Sequence, residues 1–211
     1  MDKLIYGFIP ARGGSKGVIR KNLQSVSGIP LIARSIIALK SSTYISKIFV
    51  STDCDEIAKV AKYFGAIIIK RPKELAEDSI STDPVIEHFT NVLLDWNEIP
   101  NQIALIQTTF PFLNDKIIQK VCDNVKGDHD CAFAATEFHG FVWEKNNASD
   151  KEDQDYSLAN HNYHFQNRPR RQDQPIQLLE QGSIYVFNFS SFISSKSRFC
   201  NNPKPVLITD S

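Results

Sequence analysis

The feature that most constrains this chain is a regular alternation of short apolar runs with longer amphipathic ones. Residues 3–10, 47–51 ("KIFVS"), 66–70 ("AIIIK"), 102–107 ("QIALIQ") and 131–135 ("CAFAA") are apolar at successive positions, as in strands buried on both faces. Between them lie helical patterns. "PLIARSIIALKS" (30–41) carries proline in its first turn. In "TDCDEIAKVAKYF" (52–64), Ile57, Val60, Ala61 and Phe64 repeat at helical spacing. Asp53 is placed to cap that helix with Glu56 as its capping-box partner, and Gly65 ends it. Residues 82–96 follow an Asp83-Pro84 start signal, and 114–125 puts Ile117, Ile118, Val121, Cys122 and Val125 on one face. Repetition of this kind predicts an α/β fold, a mostly parallel sheet covered by helices on both sides in a three-layer α/β/α sandwich.

The length of 211 residues suits one domain spanning 1–211. The alternation stops near residue 138, and 146–175 is polar, charged and without period. A long irregular segment inside a compact domain is usually functional or reaches a partner. Regular patterns return at 182–188 ("GSIYVFN"), in a short helix-like "SSFISSKS", and at 205–209 ("PVLIT").

Several function classes are excluded. No apolar stretch approaches the ~18 residues that would span a bilayer, and "MDKLIYGFIP" leads into a basic glycine loop rather than a signal-peptide cleavage site. A cytoplasmic protein with no membrane partner is expected. Zero net charge argues against a nucleic-acid partner. Cys54, Cys122, Cys131 and Cys200 have no zinc spacing, and Cys122 and Cys131 read as small buried hydrophobes. His161 and His164 form an HxxH in a polar segment with no third ligand in view, so it is not read as a metal site.

The charge is nevertheless uneven. Lys3 to Thr52 holds eight Lys/Arg and no Asp or Glu. Most of its glycine and much of its charge fall in "ARGGSKGVIRKN", directly after the first strand. In open α/β sheets ligands sit at the carboxyl ends of strands, where glycines let backbone N–H groups approach phosphate oxygens. A phosphate or nucleotide site is the natural reading. It is not a P-loop, since no Ser or Thr follows a suitably spaced Gly-Lys, and Arg12 stands where a dinucleotide fingerprint needs its first glycine.

"IPARGGSKGVIRKN", "VSTDCDEIAKVAKYFGA", "RPKELAEDSISTD", "LIQTTFPF" and "RPRRQDQPIQLLEQGSIYVF" occur in this order over about residues 5–190. Together they resemble the motifs of the CMP-sialic acid synthetase (N-acylneuraminate cytidylyltransferase) family. The resemblance implies a nucleotide-diphospho-sugar-transferase-like fold and a magnesium-dependent reaction. In it, the anomeric hydroxyl of an acidic nine-carbon sugar attacks the α-phosphorus of CTP, giving CMP-sugar and pyrophosphate. It assigns Arg12 and Lys21 to the triphosphate and the leaving pyrophosphate. Ala11, Gly13, Gly14, Ser15 and Asn22 would complete the nucleotide loop, with Lys16 and Arg20 either assisting or solvated. Arg71 and Thr82 would hold the cytidine and ribose, and Gln107, Arg171, Gln172 and Gln181 the sugar. Residues 138–181 would form an extended arm that reaches the second subunit of a homodimer.

The sequence departs from the family pattern in two places. Thr108-Thr109-Phe110-Pro111 stands where members carry Pro-Thr-Ser-Pro, which puts Phe110 at the expected sugar pocket. Members also carry a metal-binding Asp-Ile-Asp run after the last strand, whereas this sequence ends "VLITDS", with Asp210 alone. The metal ligands therefore stay open, and the C-terminal part of the family domain is expected to be missing. The related CMP-Kdo synthetase reading is disfavoured by Thr109, where an acidic residue is usual. A non-catalytic nucleotide-binding homologue is the other alternative. "RPRR" could also serve as a nuclear-targeting cluster in a eukaryotic protein.

Overall fold

Strand β1 (Ile5–Pro10) lies inside a seven-stranded sheet in the computed structural model, which describes residues 4–14, 17–144, 159–160 and 162–209. After it come β2 (Ser25–Val26), β3 (Ile29–Pro30), α1 (Leu31–Ser41), β4 (Ile45–Thr52), α2 (Asp55–Tyr63), β5 (Ile67–Lys70), α3 (Thr82–Asp95) and β6 (Gln102–Ile106). Next are α4 (Asp115–Cys122), β7 (Cys131–Phe138), β8 (Trp143–Glu144), β9 (Ala159–Asn160), β10 (Gln177–Asn188), α5 (Phe189–Ser195) and β11 (Pro203–Leu207).

The sheet order is β11-β7-β10-β6-β1-β4-β5. β4 and β6 both pair in parallel with β1, β5 with β4, and β11 with β7, while β10 runs antiparallel to β6. The expected mostly parallel α/β sheet is therefore present. The order places the chain reversal at β1: the path moves out through β4 to β5, then returns to β1's other side as β6. A crevice opens at such a switch point, where loops from neighbouring strands diverge.

Alternate side chains feed two cores, one on each face. Ile5 and Ile9 of β1, Ile48 and Val50 of β4, and Ala104 and Ile106 of β6 pack with residues of α1, α2 and α4. Tyr6, Phe8, Phe49, Ile103 and Leu105 pack with residues of α3 and α5. On that second face the Phe8 ring stacks on Phe89 at 4.1 Å, and Phe49 meets Phe89 at 5.2 Å. Cys122 and Cys131 are buried within these cores as expected, and burial raises the Cys131 thiol far above its ordinary pKa. Gly7 is required by close packing, since a Cβ there would sit 2.8 Å from Leu39 of α1.

One expectation fails at α2. Asp53 does not cap this helix. Cys54 occupies the N-cap position without a side-chain cap, and the Asp53 carboxylate accepts the Gly13 N–H at 2.9 Å. Glu56 pairs with Arg20 instead of closing a capping box. The first-strand loop competes for both acids and wins, because it supplies an unpaired backbone donor and a cation beside them. Asp55 and Glu56 still favour the positive end of the helix dipole. At α4 a local cap does form: Asn114 Oδ1 accepts the Ile117 N–H at 3.0 Å.

By internal packing the chain divides into two units, Met1–Ala135 with Glu180–Ser211, and Thr136–Leu179. The second unit has its own small framework. Asn162 donates to the Gly140 carbonyl at 2.7 Å and to Gln177 Oε1 at 2.9 Å, and accepts the Val142 N–H at 3.1 Å. The Tyr163 ring meets Phe141 and Trp143, and Arg168 covers the Phe141 ring at 4.0 Å. Short 3₁₀ turns at Phe165–Asn167 and Arg171–Asp173 precede β10, which begins at Gln177 rather than at residue 182.

Candidate functional site

A cavity of about 250 Å³ opens at the carboxyl ends of β1, β5 and β6. Its walls come from the loop after β1 (Arg12, Gly14, Lys21, Asn22), from Arg71, from the segment Leu75 to Val85, and from Gln107, Thr108 and Thr109. Each group is delivered by an element that ends there.

Arg12 is anchored on the segment that precedes α3. Its Nη2 lies 2.5 Å from the Asp78 carboxylate, and its Nη1 donates to the Ala76 carbonyl at 3.3 Å. Arg71 is almost fully enclosed, at 5% exposure. Its Nε donates to Ser51 Oγ at 3.1 Å and its Nη2 to the Ser51 carbonyl at 2.8 Å. Burial pulls its pKa down to about 10; the Asp53 charge opposes that fall and the Arg12 charge adds to it. The guanidinium stays charged at neutral pH, but at a cost.

Asn22 is buried between the two central loops. Its Nδ2 donates to the Arg12 carbonyl at 2.8 Å, and its Oδ1 accepts the Thr108 hydroxyl at 2.6 Å. Gln107 donates its backbone N–H to Ser183 at 3.1 Å, and its Oε1 would lie 3.6 Å from a Cβ on Gly182, a residue with φ +69°. A Cβ there would make only ordinary contact with that amide, so it is the positive φ that calls for glycine at 182.

Of the residues singled out in the sequence, Arg12, Lys21, Gly14, Asn22, Arg71, Thr82 and Gln107 meet in this one cavity. Ala11 lies in the core, with its N–H on the Ser51 carbonyl at 2.9 Å. Gly13 packs against α2, where a Cβ would come 2.8 Å from Cys54 Cβ. Gln181 accepts the Ser183 hydroxyl at 2.6 Å. Arg171 and Gln172 belong to the second unit, where they line a separate cleft with His139, Gln174 and Ile176. Arg20 pairs with Glu56 at a different surface cleft. Ser15, Lys16, His161 and Asp210 lie outside the described residues.

Phe110 stands next to the cavity wall and not in it. It packs, half-buried, against the core on the α1/α4 face, and the cavity wall is formed by Thr108 and Thr109 instead. Sequence reasoning missed Asp78 and Glu77. Both stand in the quoted "RPKELAEDSISTD" segment, but nothing local shows that an acid there meets Arg12. Among the described residues no group of three or more His, Cys, Asp or Glu comes together to hold a metal ion. Glu77 is on the cavity wall, Asp78 is engaged by Arg12, and Asp53 by Gly13.

Arg12, Lys21 and Arg71 thus converge on one cavity at the switch point of the sheet. The family model described as "Cytidylyltransferase" matches residues 6–202. The chain belongs to the cytidylyltransferase family. N-acylneuraminate cytidylyltransferase A of Danio rerio is 36% identical to this family member over 182 residues, 86% of this chain and 40% of that protein. A pseudaminic acid cytidylyltransferase of Campylobacter jejuni is 36% identical over 132 residues, 62% of this chain and 57% of that one. The chain thus spans well under two thirds of the length of these relatives. The solved structure of a CMP:2-keto-3-deoxy-manno-octonic acid synthetase complexed with CTP shares the fold, with a TM-score of 0.64 at 16% identity, covering 97% of this chain and 90% of that one. No helix among the described residues is long and apolar enough to cross a membrane.

Proposed function

We propose that this cytidylyltransferase-family protein couples CTP to an acidic nonulosonic sugar, releasing pyrophosphate and forming a CMP-sugar. The observation that carries the reading is the convergence of Arg12, Lys21 and Arg71 with Gln107 in one cavity at the switch point. The relatives named for N-acylneuraminate and pseudaminic acid transfer support the sugar class.

Phosphoryl transfer asks the protein mainly for positioning and charge neutralisation. Arg12 and Lys21 offset charge on the β- and γ-phosphates as it grows on the leaving pyrophosphate. Arg71 and Thr82 hold the nucleoside end, and Gln107 orients the sugar. The anomeric oxygen forms a bond to the α-phosphorus, the bond from that phosphorus to the bridging oxygen breaks, and the hydroxyl proton passes to solvent. Magnesium, when bound, would supply charge neutralisation to the triphosphate, and no protein ligand is assigned to it. The same reading takes the protein as a cytoplasmic homodimer, with Arg171 and Gln172 presented to the sugar carboxylate of a second copy. An arginine fork suits both oxygens of that group.

The test is pyrophosphate release from CTP with magnesium and a panel of nine- and eight-carbon 2-keto acid sugars. Release with a nine-carbon sugar is expected, and Arg12→Ala or Lys21→Ala should lower turnover about 100-fold or more. CTP binding with no release across the panel would make the chain a nucleotide-binding homologue without turnover. Release with only the eight-carbon sugar would move it to the Kdo class.

A further inference from the structure

We propose that Thr108 is a positioning residue, whose hydroxyl sets the glycine loop for the nucleotide through Asn22. The inference rests on the CTP reading above and adds a residue that the family motif does not supply. The resembling run carries proline at this position, which has no side-chain donor.

The geometry forms a directed chain of hydrogen bonds. The Thr108 hydroxyl donates to Asn22 Oδ1 at 2.6 Å, across 86 residues of sequence. Asn22 Nδ2 donates to the Arg12 carbonyl at 2.8 Å. That carbonyl belongs to the same peptide group as the Gly13 N–H, which donates to Asp53 Oδ1 at 2.9 Å. The Arg12–Gly13 peptide plane is thus pinned at both polar ends. Its rotation sets where Arg12 leaves the strand and where the Gly14 backbone faces the cavity.

The Arg12 carbonyl, which can only accept, decides which way round the Asn22 amide sits, and the Thr108 hydroxyl holds the Oδ1 end of that orientation. Both residues are 5% exposed, so solvent does not compete freely for their polar groups. The Thr108 hydroxyl could accept from a flipped amide, but the flip would set Oδ1 against the Arg12 carbonyl oxygen, two acceptors face to face. The β-branched threonine holds its hydroxyl in few rotamers, which makes it a firm anchor. Without that hydroxyl, Asn22 Oδ1 is left buried without this partner, and the plane loses its far support.

The experiment compares wild type with Thr108→Val, Thr108→Ala and Thr108→Ser, each first checked by thermal melting. Amide hydrogen exchange of a peptide spanning residues 10–14 is followed without nucleotide, and CTP affinity is measured by titration calorimetry with magnesium. Val and Ala should speed exchange at Gly13 and weaken CTP about tenfold, while Ser stays within about twofold of wild type. In turnover assays the loss should fall on KM for CTP, with kcat changed less than about twofold. Wild-type exchange and affinity in both Val and Ala variants would overturn the inference. So would a Ser variant as impaired as Val, since shape rather than the hydroxyl would then matter. A wild-type protein that binds no CTP would sink the functional reading alone. The exchange data then decide: acceleration in Val and Ala but not in Ser supports the loop anchor, and equal rates overturn it.

Discussion

Arg71→Met should separate binding from stability. Arg71 is a nearly enclosed cation, and depression of its pKa from 12.5 to about 10 corresponds to a folding cost of about 3 kcal/mol at neutral pH, at about 1.4 kcal/mol per pH unit. The sign follows from a base that binds its proton less tightly folded than unfolded. Two hydrogen bonds to Ser51, at about 1.5–3 kcal/mol each for a charged donor, match this cost or exceed it by up to about 3 kcal/mol. Removing the guanidinium does not orphan the Ser51 carbonyl either, because the Ala11 N–H still donates to it at 2.9 Å. Methionine keeps the stem volume without charge, so unfolding free energy should fall by no more than about 3 kcal/mol. CTP affinity should fall about 10- to 150-fold, the equivalent of ~1.5–3 kcal/mol of lost charge-assisted bonding. Urea unfolding gives the first quantity and calorimetry with CTP the second. A destabilisation above about 3 kcal/mol with unchanged CTP affinity would refute the reasoning and make Arg71 a structural tie between the ends of β4 and β5.

Two other substitutions test the surroundings. Gly13→Ala puts a methyl 2.8 Å from Cys54 Cβ, so the loop must lift off α2; KM for CTP should rise about tenfold or more, and an unchanged KM would show that the loop position is immaterial. Asp130 is pulled up by burial, but the N–H groups of Asn202 and Asn201 outweigh this and hold its pKa below the ordinary carboxylate value. Its contribution to stability is therefore present above the unfolded carboxylate pKa, about 3.9, and is lost as pH falls through the lower folded value. In urea unfolding from pH 7 to 3, wild type should exceed Asp130→Asn by a constant margin down to about pH 5 and then converge on it. A margin independent of pH would contradict the assignment.

Much of this architecture was legible because its signals are local. A strand buried on both faces reads as an apolar run, and helices such as α1 and α3 announce themselves by 3.6-residue spacing. At Asn114 a cap forms with a partner only three residues away. Asp53 broke the same kind of rule, since a donor from another loop, Gly13, outcompeted the helix end. Position in a motif likewise does not say which way a side chain turns, and Phe110 turns to the core. The start of β10 was hidden because Leu178 and Leu179 lie exposed, without the clean alternation of a half-buried strand.

By itself the sequence determined the element types, the basic glycine loop and the order of motifs that mark the family. It also named most of the side chains that line the cavity. Only the tertiary structure decided the switch point beside β1, the seating of Arg12 on Asp78, the enclosure of Arg71 against Ser51, and the Thr108–Asn22 link. The physical reason is range. Propensity and periodicity act over a turn or two of chain, whereas a buried hydrogen bond or ion pair takes its strength from whatever the sheet order brings within about 3 Å, and here that order joins loops 86 residues apart.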